Sequence, residues 1–87
     1  MWFVYILRCA DDSLYIGETH DITGRLAKHN EGSAAAHTAQ RRPVRLVYTE
    51  EHAGRVDCLK RERQLKRWTR AKKEALIAGD QALLKKL

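Results

Sequence analysis

Residues Trp2 to Arg8 alternate weakly between the two faces of an extended chain and are rich in aromatic and β-branched types, a pattern that predicts a strand. Cys9-Ala10-Asp11-Asp12-Ser13 is a polar turn, and Leu14-Tyr15-Ile16-Gly17 reads as a second short strand, so the two form a hairpin. Asp21 is placed to cap a helix that Ile22 and Leu26, four residues apart, would anchor as far as about Asn30. The small, polar stretch from Ser33 to Arg42 reads as a loop. Pro43 then introduces a third strand, Val44 to Thr49, since proline is tolerated at the first residue of a strand. From about His52 the spacing turns helical and continues to Trp68. Thr69 is the expected cap of a further helix through Ala75-Leu76-Ile77, Gly79 its stop, and Asp80 the cap of a last short helix. The expected fold class is α+β, in the order β-β-α-β-α-α, with a small antiparallel sheet.

At 87 residues the chain has room for one domain, residues 1–87, with a thin core. A hydrophobic share of 44% argues against disorder. No apolar run approaches the ~20 residues of a membrane span. Met1 to Leu7, followed at once by Arg8, is too short for a secretory signal, so the expected location is cytoplasmic. Cys9 and Cys58 are too few for a disulfide framework or a four-thiolate zinc site and read as free thiols.

Charge changes the picture more. Lys and Arg total 17 against 11 Asp and Glu, a net charge of +6. Nine of the basic residues fall between Arg55 and Lys73 (Arg55, Lys60, Arg61, Arg63, Lys66, Arg67, Arg70, Lys72 and Lys73), with only Asp57 and Glu62 among them. Arg41, Arg42 and Arg45 form a second cluster. A phosphate polymer, DNA or RNA, is the natural partner of such a surface. The plainer alternative is a solvated helix face, because Lys and Arg are good helix formers.

Three groups of residues carry candidate chemistry. Tyr5 and Tyr15 would lie on the adjacent strands of the hairpin, where tyrosines are most often packed sheet aromatics. Arg25 and His29, four apart, share a helix face; an arginine grips phosphate and a histidine moves a proton near neutral pH. Glu62 is an isolated acid on a basic helix, on the face of Cys58 and Leu65. A carboxylate there repels a phosphate ligand unless it holds something, and a divalent metal is the economical answer. Its plainer role is an ion pair with Lys66 one turn on.

Val4-Tyr5, then Tyr15-Ile16-Gly17, Thr19, Arg25 and His29, then a helical Glu62, together resemble the GIY-YIG nuclease domain, closest to its small stand-alone bacterial members. The likeness runs from Trp2 to about Ile77. It implies a three-stranded antiparallel sheet flanked by helices, with Tyr5 and Tyr15 as the motif tyrosines and Gly17 as the glycine closing the second half-motif. Arg25 would contact the scissile phosphate, His29 would help activate the nucleophile, and Glu62 would hold a single Mg²⁺ or Mn²⁺. Phe3 stands where the first half-motif has glycine, and no asparagine occurs after Asn30, although some members use one beyond the glutamate. The implied activity is metal-assisted phosphodiester hydrolysis, structure-directed or weakly sequence-specific, with no small-molecule cofactor. Tyr5, supported by Tyr15, would orient or deprotonate the attacking water, with His29 as the alternative base. Arg41, Arg42, Lys60, Arg61, Lys66, Arg67, Arg70, Lys72 and Lys73 would bind the nucleic acid. The competing expectations are a nucleic-acid-binding module without useful turnover and, behind it, a domain whose basic helix docks an acidic protein.

Overall fold

A computed structural model describes all residues from Met1 to Leu87. Three strands, β1 (Trp2–Arg8), β2 (Leu14–Thr19) and β3 (Arg45–His52), form one antiparallel sheet in the order β2-β1-β3. The helices are α1 (Ile22–Glu31), α2 (Ala36–Ala39), α3 (Arg55–Lys66), α4 (Arg70–Ala78) and α5 (Gln81–Lys86).

Why β1 alternates so weakly is clear from its central place: Val4, Tyr5, Ile6 and Leu7 are all buried, because both faces of the sheet are covered. Val4 and Ile6 pack with Ile16, Cys58, Leu65 and Leu76, which joins one face to α3 and α4. Tyr5 and Leu7 pack with Cys9 and Val44, and with Ile22 and Leu26 of α1. Each fully buried aliphatic side chain contributes about 1.5–3 kcal/mol by leaving water. The helices start and stop where capping chemistry places them. The Asp21 carboxylate accepts from Gly24 N–H at 3.1 Å, and Thr69 and Asp80 accept from Lys72 and Leu83 N–H in the same way. Gly32 and Gly79 end α1 and α4 with positive φ.

The expected class, sheet and element order hold, and three local expectations are corrected. The stretch from Ser33 to Arg42 is not all loop: α2 forms within it, held by Thr38, which is fully buried and bonds to Ala35 and His29. Strand β2 continues two residues past Gly17, since Glu18 and the β-branched Thr19 pair with Val4 and Phe3. Strand β3 begins at Arg45 rather than Val44 and runs on to His52. Its charged end is satisfied internally, because Glu50 accepts from Tyr48 Oη at 2.5 Å, His52 Nε2 at 2.8 Å and Arg61 Nε at 2.9 Å. Asn30 clamps the end of α1 to the approach of β3, donating to the Val44 carbonyl and accepting from its N–H.

Candidate functional site

The β1–β2 register puts Tyr5 opposite Gly17 and Leu7 opposite Tyr15. Tyr5, Leu7, Tyr15 and Gly17 therefore share the sheet face that α1 covers. Gly17, inside β2, has a steric reason to be glycine. A Cβ there would stand 2.5 Å from Tyr5 Cζ and 2.9 Å from Cε2, so the phenol ring crosses directly over its backbone.

Tyr5, Tyr15 and His29 form an aromatic cluster, with ring centroids 6.5 Å apart for the two tyrosines, 5.8 Å for Tyr5–His29 and 5.1 Å for Tyr15–His29. The two expected partners of the α1 face thus part company. His29 is only 1% exposed, while Arg25 is half-buried and lines both a polar cleft with Thr19, His20 and Lys28 and a narrow apolar one with Tyr5, Leu26 and Leu46.

The hydrogen bonds around His29 define its protonation. Thr38 Oγ1 donates to the Ala35 carbonyl, so toward His29 it accepts, and His29 Nδ1–H donates to it at 2.7 Å. Nε2 then carries the lone pair and accepts from the Tyr5 hydroxyl at 2.8 Å. Burial, with the nearby Arg25 cation second, holds the His29 pKa below its ordinary value, in keeping with a neutral ring. Burial pushes the Tyr5 phenol well above its usual range; Tyr15 and the carboxylates of Glu62 and Glu18 push the same way, and Arg25 opposes them. A Tyr5 phenolate at neutral pH is therefore disfavoured, and the hydroxyl proton lies in the bond to His29 Nε2.

Glu62 lies on α3, its side chain 17% exposed, and its ion pair is with Lys66 Nζ at 3.4 Å, so the plainer expectation for this residue is also met. Glu18, which the sequence did not single out, adds a second carboxylate. One of its oxygens is 3.7 Å from Arg55, while the other, Oε2, is buried without any partner. No three metal-ligating side chains gather anywhere in the chain. A carboxylate-poor set of this kind fits Mg²⁺ or Mn²⁺ held by one or two carboxylates and completed by water and substrate oxygens. Two further residues escaped the sequence reading. Thr38 fixes the His29 tautomer, and His37 stacks on Tyr15 at 6.0 Å and bonds to Ser13 Oγ. Their only signal was a histidine and a β-branched hydroxyl inside an alanine-rich stretch.

The basic residues divide into two sets. Arg41 bonds to Asp11 and the His37 carbonyl, Arg42 to the Ala39 and Asn30 carbonyls, and Arg70 to Asp12 and Glu74. Arg61 bonds to Glu50 and Gln64, and Lys72 lies 4.4 Å from the centroid of the Trp68 ring. With Lys66 on Glu62, these expected nucleic-acid contacts are partly engaged within the protein. Lys60 and Arg67 have no such partner and are exposed, and Lys73, also without one, is half-buried.

Comparison with known proteins decides the family. Residues 1–75 match the GIY-YIG catalytic domain. This chain belongs to the GIY-YIG family. The GIY-YIG chain is 49% identical over 75 residues to the UPF0213 proteins of Staphylococcus aureus strains Mu3 and COL, a match covering 86% of this chain and 92% of theirs. It is also similar to the solution NMR structure of UPF0213 protein BH0048 from Bacillus halodurans, with a TM-score of 0.60 and 38% identity, covering 92% of this chain and 86% of that one. GIY-YIG domains are nuclease domains, so the coarse class is a hydrolase of nucleic acid, of the small type that its bacterial relatives represent.

Proposed function

We propose that this GIY-YIG chain is a metal-dependent endonuclease that hydrolyses phosphodiester bonds in DNA, acting on structure or with weak sequence preference. The observation that carries the proposal is the Tyr5–His29 hydrogen bond with Nε2 as acceptor, in a cluster bordered by an unpaired Arg25. A water beside Tyr5 gives its proton to the phenol oxygen as the phenol proton passes to His29 Nε2, so an oxygen of low acidity activates water without ever standing as a free phenolate. The water oxygen bonds to phosphorus, the bond to the leaving oxygen breaks, and that oxygen takes a proton from solvent water. Arg25 neutralises the charge that grows on the phosphate oxygens, and Tyr15 supports the placement of Tyr5 and His29. Glu62, with Glu18 nearby, would hold Mg²⁺ or Mn²⁺, which when bound supplies Lewis-acid charge at the phosphate and leaving oxygens.

The test is a nicking assay on supercoiled plasmid and on flap and branched DNA, with matched RNA, in Mg²⁺, Mn²⁺ and EDTA. Wild-type protein should cut DNA only with metal, and Tyr5→Phe should lose at least about 10²-fold. Tight, salt-sensitive binding without cleavage of any substrate would replace this reading with that of a binding module. The lack of an asparagine beyond Asn30 favours that second reading.

A further inference from the structure

Helix α3 carries two stripes of opposite character. Cys58, Arg61, Glu62 and Leu65 follow the i, i+3, i+4, i+7 spacing of one helix face, and all are buried or half-buried against the sheet. Lys60, Arg63, Gln64 and Arg67 repeat the same spacing two residues later, which at about 100° per residue lies about 200° round the helix. All four are exposed, and with Trp68 they line a shallow cleft of about 360 Å³.

This outer stripe is also electrostatically unanswered. Every other arginine except Arg25 and Arg45 has a carboxylate, carbonyl or aromatic partner within the protein, whereas Arg63 and Arg67 have none, nor does Lys60. Asp57, one turn before Lys60, forms no ion pair with it. Like charges one turn apart repel and weaken a helix, so the arrangement costs stability unless an anion occupies the cleft. Trp68 forms its apolar floor but is already overlaid by Arg61 and Lys72, at 5.1 and 4.4 Å from its ring centroid. The cleft therefore offers charge to an extended phosphate chain more than a stacking face to a base.

We infer that the outer face of α3, through Lys60, Arg63 and Arg67, binds a phosphodiester backbone segment other than the one at Glu62. The inference rests on the nuclease reading for its catalytic side only. Glu62 lies about 100° round the helix from Arg63 and about 160° from Lys60, so a phosphate at Glu62 and one on the outer stripe sit on different sides of a helix about 10–12 Å across. A substrate that engages both must reach round α3, as the two strands of a duplex or the arms of a branch do. Arg63 then becomes a binding residue.

The experiment compares wild-type protein with Lys60→Gln/Arg63→Gln/Arg67→Gln by fluorescence anisotropy across a salt series, on single-stranded, duplex and branched DNA. Lys85→Gln/Lys86→Gln serves as a control for net charge alone. Circular dichroism checks that each variant folds. On duplex and branched DNA the triple variant should lower the slope of log K against log[salt] by about 2.7, three contacts at about 0.9 each, with a smaller change on single strands. Unchanged slopes, or a loss that the control pair matches charge for charge, would overturn the inference. Cleavage assayed alongside separates the two readings. A lost slope with no cleavage by wild type keeps the outer site and removes the nuclease, and intact slopes with cleavage do the reverse.

Discussion

Gly17→Ala tests whether the second half-motif exists to make room for the Tyr5 ring. The added methyl carbon would sit 2.5 Å from Tyr5 Cζ and closer still to the hydroxyl, where ordinary contact is 3.4–4 Å. The ring must therefore retreat by about 1 Å or the strand must bend. The Tyr5–His29 bond, now 2.8 Å, cannot survive such a shift, and a buried histidine nitrogen loses its partner. Overpacking of this kind costs about 1–3 kcal/mol, and an unpaired buried acceptor about 1–3 more. A loss of about 2–6 kcal/mol lowers Tm by at least about 8 °C in a domain of this size, and a 1 Å misplacement of a catalytic group costs about 10²-fold in rate. Thermal melts followed by circular dichroism and single-turnover cleavage measure the two effects. A double-mutant cycle assigns the cause: with Tyr5→Ala in the background, Gly17→Ala should cost less than about 0.5 kcal/mol. If Gly17→Ala costs as much without the ring as with it, or costs nothing in either background, the close approach is not what requires glycine.

Three other outcomes follow from the same geometry. Glu62→Gln keeps shape and removes the charge a metal needs, so metal-dependent cleavage should fall by more than about 10²-fold while DNA affinity stays level or rises; unchanged cleavage removes Glu62 from the mechanism. Arg25→Ala, with no ion pair to lose, should stay within about 0.5 kcal/mol of wild type in denaturant melts, lose about 10²-fold in cleavage and less than tenfold in affinity, and equal modest losses in both would make it one phosphate contact among many. His29 should make stability fall on acidification. Its folded pKa lies below the unfolded value of about 6.5, so the unfolded chain takes up its proton first, and stability present above that pH is lost as pH falls toward the folded value, by at most about 1.4 kcal/mol per unit. Melts from pH 7.5 to 5.5 should show this decline in wild type and less of it in His29→Gln.

The hairpin, the caps at Asp21, Thr69 and Asp80 and the stop at Gly79 were legible because each rests on chemistry within a few residues. Helix α2 was not, since four residues are too few to show a period and its anchor, Thr38, acts through His29 nine positions away. The extent of β3 was hidden for a similar reason. Glu50 and Glu51 look like a strand's end until Arg61, on another element, answers Glu50. At the site, the residue types and order pointed to Tyr5, Tyr15, Arg25, His29 and Glu62, but spacing alone could not tell that His29 is fully buried while Arg25 is half-buried. Nor could it separate Arg61 and Arg70, spent on internal carboxylates, from Arg63 and Arg67, because the partners of an arginine are fixed by the fold and not by its neighbours in sequence.

The chain of hydrogen bonds from Tyr5 through His29 and Thr38 ends at the Ala35 carbonyl oxygen, and that ending is a cul-de-sac. A peptide carbonyl neither supplies a proton nor passes one on, and His29 has almost no surface open to water. In the proposed reaction, a proton stored on the imidazole has one exit, the phenol by which it entered. The site would then work as a one-proton reservoir, filled when water attacks and emptied back through Tyr5 before the next attack. Recovery of the neutral ring becomes an obligatory reset between turnovers, and the same enclosure keeps solvent acid from loading the ring by any other route.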